Sequence, residues 1–182
     1  MGVSCVNTTM VSDSARHDDP AVDDGAAEDA YPTPEPNELE RAAGGIAGGI
    51  VGTTLMTGVL FLVNATLTPG IDVFGTLAEL AGVGGSPALG LALFFGAGTF
   101  AWPLLFVTLG AYLPGATKPQ QGIVFAAVLW TGFVTAFYSR YAGLDLVVFV
   151  AFSVVTHLAY GWVLGFVAAR LTGQYEAPEI AV

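Results

Sequence analysis

Charge is scarce in this chain. Only 11% of its 182 residues are Asp, Glu, Lys or Arg, against about a quarter in soluble domains. One cysteine, Cys5, excludes an intrachain disulfide, and one lysine, Lys118, leaves little positive charge to hold nucleic acid. No apolar run precedes residue 42, so no signal peptide is expected. A nucleophile elbow, a P-loop, a His-Glu-x-x-His helix and a paired-cysteine motif are all missing, so the chain is read as non-enzymatic. Of its two histidines, one, His157, falls within the apolar body, and no second His or Cys stands there to complete a metal site.

What the chain has in quantity is apolar sequence: 54% hydrophobic residues and 24 glycines. Four stretches, 42–67, 88–112, 121–138 and 145–169, each approach or exceed the twenty or so residues that a helix needs to cross a bilayer. The fold class is therefore an all-α membrane protein with four transmembrane helices, its membrane domain covering 41–172. A segment over 71–83 is too short to cross and carries Asp72 and Glu79. With Phe74, Leu77 and Leu80 or Ala81 on one face, it reads as a short interfacial helix. Residues 1–40 hold ten acids and one base, lack apolar periodicity and carry a proline-rich run at 31–36, so a disordered acidic tail is expected there. Its last residues, 37–40, look like a helix start, with an Asn cap and Glu in the first turn. Residues 173–182 form a short polar tail. The acid-rich, lysine-poor composition is like that of proteins from salt-loving archaea, where dense salt screens such a tail.

Small residues recur at intervals of four in the first span, as Gly44, Gly48 and Gly52 and, in a parallel row, Gly45, Gly49 and Thr53. Gly161 and Gly165 repeat the spacing in the fourth. Such rows let a neighbouring helix come close, either within the chain or in a second subunit. Pro103 interrupts the second span and predicts a kink. Arg41, Lys118 and Arg170 fall on one side of the membrane and Arg140 on the other, which predicts a multi-pass cell-membrane protein with both termini cytoplasmic.

An ionisable residue inside a membrane is a functional candidate. His157 shares a helix face with Ser153, one turn before, and Tyr160, three residues on. That polar face could relay protons, ligate a haem or a metal, or clamp two helices together. No cofactor is expected from the chain alone, and a haem on His157 would need its second ligand from a partner. Asp72 and Glu79, seven apart, could share a face, but solvated interfacial charges are the simpler reading.

The order of these pieces resembles a family of small four-helix integral membrane proteins of unknown function, found in halophilic archaea and bacteria. The resemblance rests on the run Gly48 to Thr57, the segment opening Ile71-Asp72, the turn Leu113-Pro114-Gly115 and the run His157 to Gly165. Relatives carry a second histidine in the second span, where Phe94 stands here, so the resemblance argues against a two-histidine haem or metal site. It also implies an accessory role beside a respiratory terminal oxidase. Three functions follow as expectations. The first is a packing or assembly subunit of a membrane complex, in contact with lipid and with other subunits or copies of itself. The second is a redox or proton-handling protein using His157, and the third a small-solute carrier.

Overall fold

The computed structural model describes residues 35–66 and 71–174. The expected disordered tail falls, but for 35–40, outside these residues, as does the polar tail beyond 174. Among the described residues all regular structure is helical, and four helical stretches are long and apolar enough to cross a membrane. Helix α1 spans Glu38–Thr66 and α2 spans Val73–Leu80. The second crossing is built of α3 (Pro87–Gly96), a π-helical turn (Ala97–Ala101) and α4 (Trp102–Leu109), and closes in a 3-10 turn at Gly110–Tyr112. Helix α5 (Lys118–Phe137) and helix α6 (Gly143–Leu171) complete the set.

Each start has a local cause. At α1, Asn37 Oδ1 accepts the Glu40 amide while Glu40 Oε2 accepts the Asn37 amide, both at 2.9 Å. This reciprocal pair satisfies two donors that the first turn leaves open and starts the helix at Glu38. Thr117 and Gln120 form the same box at α5, with Pro119 just inside the helix, where its missing N–H costs nothing. Asp72 caps α2 by accepting the Gly75 amide at 2.8 Å. Helix α2 ends at Leu80, before Gly82 and Gly84 with φ of 73° and 81°. The helix is therefore shorter than the 71–83 read from sequence. Its buried face carries Val73, Phe74 and Ala78, and Leu80, expected on that face, is half exposed at the helix's last position.

The glycine rows set the packing order. A Cβ at Gly44 would sit 3.1 Å from Thr172 Cγ2, at Gly48 2.7 Å from the Leu164 carbonyl and at Gly52 2.7 Å from the Tyr160 ring, so this row lies on α6. The row one residue on faces the second crossing: a Cβ at Gly45 would meet Val107, and at Gly49 the Pro103 ring and the Gly98 carbonyl. Gly161 meets Gly122 backbone to backbone, and Gly165 meets Lys118 and Pro119, which lays α5 on the next face of α6. In lipid, where apolar burial drives little helix association, close backbone approach of this kind supplies van der Waals contact. The resulting order is α5, α6, α1 and then the second crossing, with the crossing's α4 also reaching α5 through the Phe106 and Phe125 rings, 5.5 Å apart.

Candidate binding cleft

The second crossing carries an irregularity that opens a space. Proline at 103 removes one amide and crowds the preceding turn, and the helix carries a π turn just before it. In it the Trp102 amide bonds to Ala97 O, five residues back. That leaves Gly98 O without its α-helical donor, and its π-helical donor would be the amide that Pro103 lacks. The hydroxyl of Tyr160, from α6, supplies the missing proton at 2.7 Å. A proline, a π turn and a tyrosine from another span thus form one unit. Such π turns occur often at functional sites.

Beside this turn lies a cavity of about 340 Å³, within the roughly 300–1,000 Å³ of ligand pockets. Phe94, Ala97, Gly98 and Trp102 of the second crossing form one wall, and Val128, Leu129, Gly132 and Phe133 of α5 the other. Thr53 and Met56 of α1, His157 and Tyr160 of α6 and Leu77 of α2 complete the lining. Leu77 brings α2 into the lining; α2 packs against α3, where Gly90 meets the Phe74 backbone, and Glu79 pairs with Arg140 at 3.1 Å. Between the walls the rim residues Trp102 and Val128 are exposed, at 40% and 64%. In a membrane this side faces lipid, so the cleft opens laterally between the second and third crossings.

The polar groups of the cleft are few: His157 and Tyr160 commit their protons, and the Trp102 indole brings a further N–H. His157 Nδ1 lies 2.7 Å from Ser153 O, which can only accept, so Nδ1 carries the proton and donates. In a neutral ring Nε2 is then the lone-pair nitrogen. No carboxylate lines the cleft to hold an imidazolium. Nε2 has no partner among the described residues and is not sealed off among the buried unpaired atoms, so it looks onto the cavity. The ring packs against Phe133 at 4.7 Å between centroids. Tyr160 spends its proton on Gly98 O, and Thr53 Oγ1 is buried against Gly98 without a partner.

The face His157, Tyr160 and Ser153 therefore divides. Ser153 offers its carbonyl to His157, but its hydroxyl turns to α5 and accepts from Trp130 Nε1 at 3.0 Å. No side-chain relay joins the three. The charges around α2 have other partners: Asp72 caps the helix and Glu79 pairs with Arg140. Asn64 donates to Ile71 O at 2.9 Å, tying the end of α1 to the start of the α2 segment. Among the described residues no three His, Cys, Asp or Glu side chains gather as a metal site would need. Sequence reasoning found His157 and Tyr160 but missed Thr53, Trp102, Gly132 and Phe133. Pro103 was the one available signal for the wall, because the carbonyls four and five residues before it lose a donor.

Fold and cleft together define a multi-pass α-helical membrane protein with a lateral, mostly apolar cleft. The family model DUF6789, a family of unknown function, matches residues 39–179, and the chain belongs to that family. No curated protein and no solved structure matches the chain.

Proposed function

We propose that this protein is a non-enzymatic, membrane-embedded binding protein whose lateral cleft takes up a small lipid-soluble molecule. One observation carries the proposal: the partnerless Nε2 of His157 stands on the wall of an otherwise apolar cavity that opens toward lipid. A packing histidine would have both ring nitrogens satisfied within the bundle.

The assembly-subunit reading, a terminal-oxidase accessory included, draws less support. The glycine rows that suggested it lie against neighbours inside the chain and leave no glycine groove for a second subunit on those faces. The redox reading keeps one supporting feature, since a histidine ligand commonly donates its other N–H to a backbone carbonyl, as His157 does. A visible absorption band in the protein purified with its native partners, lost on His157→Phe, would favour it. The carrier reading gains the cleft.

Arg41, Lys118 and Arg170 on one side support cytoplasmic termini in a cell membrane, and the acidic composition supports a high-salt setting. Reporter fusions after Gly173 and within 82–86 should report opposite sides, with Gly173 inside. An external reporter at Gly173 reverses the orientation.

The binding proposal is tested by naphthalene uptake into lipid nanodiscs with and without the protein. We expect a saturable excess near one molecule per chain, lost in Gly132→Leu. Gly132 borders the cleft, and a Cβ there meets nothing within 4 Å, so a larger side chain can start there without a clash and take up space at the cleft. Uptake equal to empty discs overturns the proposal.

A further inference from the structure

We infer that the cleft selects an uncharged aromatic ring bearing a hydroxyl, a phenol or quinol headgroup, which donates its hydrogen bond to His157 Nε2. The inference rests on the binding role above and adds the chemical class of the ligand.

Three features of the lining restrict that class. No carboxylate, ammonium or guanidinium lines the cleft, so a charged head would be desolvated without a counter-charge. Phe94, Trp102 and Phe133 present rings from both walls, which favours a flat aromatic body over a branched aliphatic one. The third feature is an unpaired acceptor; the Trp102 indole also brings an N–H to the lining, which a hydroxyl oxygen can accept. The Nδ1 proton goes to Ser153 O and the Tyr160 proton to Gly98 O, while Thr53 Oγ1 is sealed against Gly98. The acceptor Nε2 is left facing the cavity, so a ligand that only accepts would leave it unpaired. A hydroxyl on the ring answers that acceptor. The side opening between Trp102 and Val128 leaves room for a lipid-like tail to pass into the bilayer.

The test compares 1-naphthol with 1-methoxynaphthalene, which share the ring but differ in the donor. Both are measured as uptake by nanodiscs containing the full chain, with partition into empty discs subtracted. Wild-type protein should bind the naphthol about tenfold more tightly, the scale of one hydrogen bond to a desolvated acceptor. His157→Phe keeps a ring against Phe133 and removes the acceptor. It should lose the preference for the naphthol, binding the two compounds with equal affinity. A thermal-unfolding midpoint near the wild-type value establishes that the variant is folded, and His157→Gln, which retains an acceptor, serves as a second variant. Saturable but equal binding of the two compounds to wild type overturns the ligand class and leaves the binding role standing. A preference that survives in folded His157→Phe also overturns it, because the acceptor then lies elsewhere. Absence of saturable binding for both compounds and for naphthalene overturns the binding role itself.

Discussion

The hydroxyl of Tyr160 donates to the carbonyl of Gly98 at 2.7 Å, joining α6 to the π turn of the second crossing across 62 positions of sequence. Pro103 creates the need for that bond, since it cannot supply the amide that Gly98 O would otherwise find. Tyr160 also lines the cleft, so the bond that repairs the helix holds one side of the binding space in place.

Removing the hydroxyl should leave Gly98 O buried and unpaired. Tyr160→Phe is expected to destabilise the folded protein by about 1–3 kcal/mol. Pro103→Ala restores a backbone donor, so the same tyrosine change should cost markedly less in that background. Thermal or denaturant unfolding of the four proteins of this cycle in one detergent measures the coupling. Strict additivity would show that the proline and the tyrosine act independently.

Between two membrane crossings, the closest backbone approach is that of Gly161 and Gly122. A methyl group on either would meet the other's backbone, which cannot yield by a rotamer change. Gly161→Ala should cost about 1–3 kcal/mol through overpacking. Gly58, on the same kind of helix, has nothing within 4 Å of its would-be Cβ. Gly58→Ala should be neutral or stabilise by up to about 1 kcal/mol through helix propensity. Unfolding midpoints of the two variants decide the matter, and equal effects would remove the α5–α6 approach as the cause.

Tyr141 lies between α5 and α6, beyond the membrane crossings, stacked on Phe149 at 4.5 Å. Burial raises its phenol, and the Asp72 carboxylate raises it further, so that it is pushed up to about 12 against the opposing effect of Arg140. A raised pKa favours the neutral form in the folded state. Its contribution to stability is complete below pH 10, the unfolded value, and is lost as pH climbs toward 12. Wild-type unfolding midpoints should therefore fall faster than those of Tyr141→Phe between pH 10 and 12, and the two should run parallel below pH 9. Parallel curves throughout would mean that the phenol titrates normally.

Helical class and the number of crossings were legible because a bilayer imposes both. A span must satisfy its backbone internally and must run about twenty apolar residues, so length and composition are enough. Capping was legible for the same local reason: Asn37 with Glu40 acts within four residues. The glycine spacing showed that close packing would occur, but not against which helix, since a row of small residues accepts any partner that fits. Tertiary structure decided that both rows of α1 are used inside the chain, one on α6 and the other on the second crossing. It also divided the face of His157, Ser153 and Tyr160. Helical periodicity puts these residues on one side of α6 but cannot say that Ser153 meets Trp130, that Tyr160 reaches Gly98, or that Nε2 of His157 is left facing a cavity. Those pairings depend on contacts between residues far apart in sequence, and the π turn at Pro103, which makes both the cleft and its tether, becomes meaningful only when another helix brings it a hydroxyl.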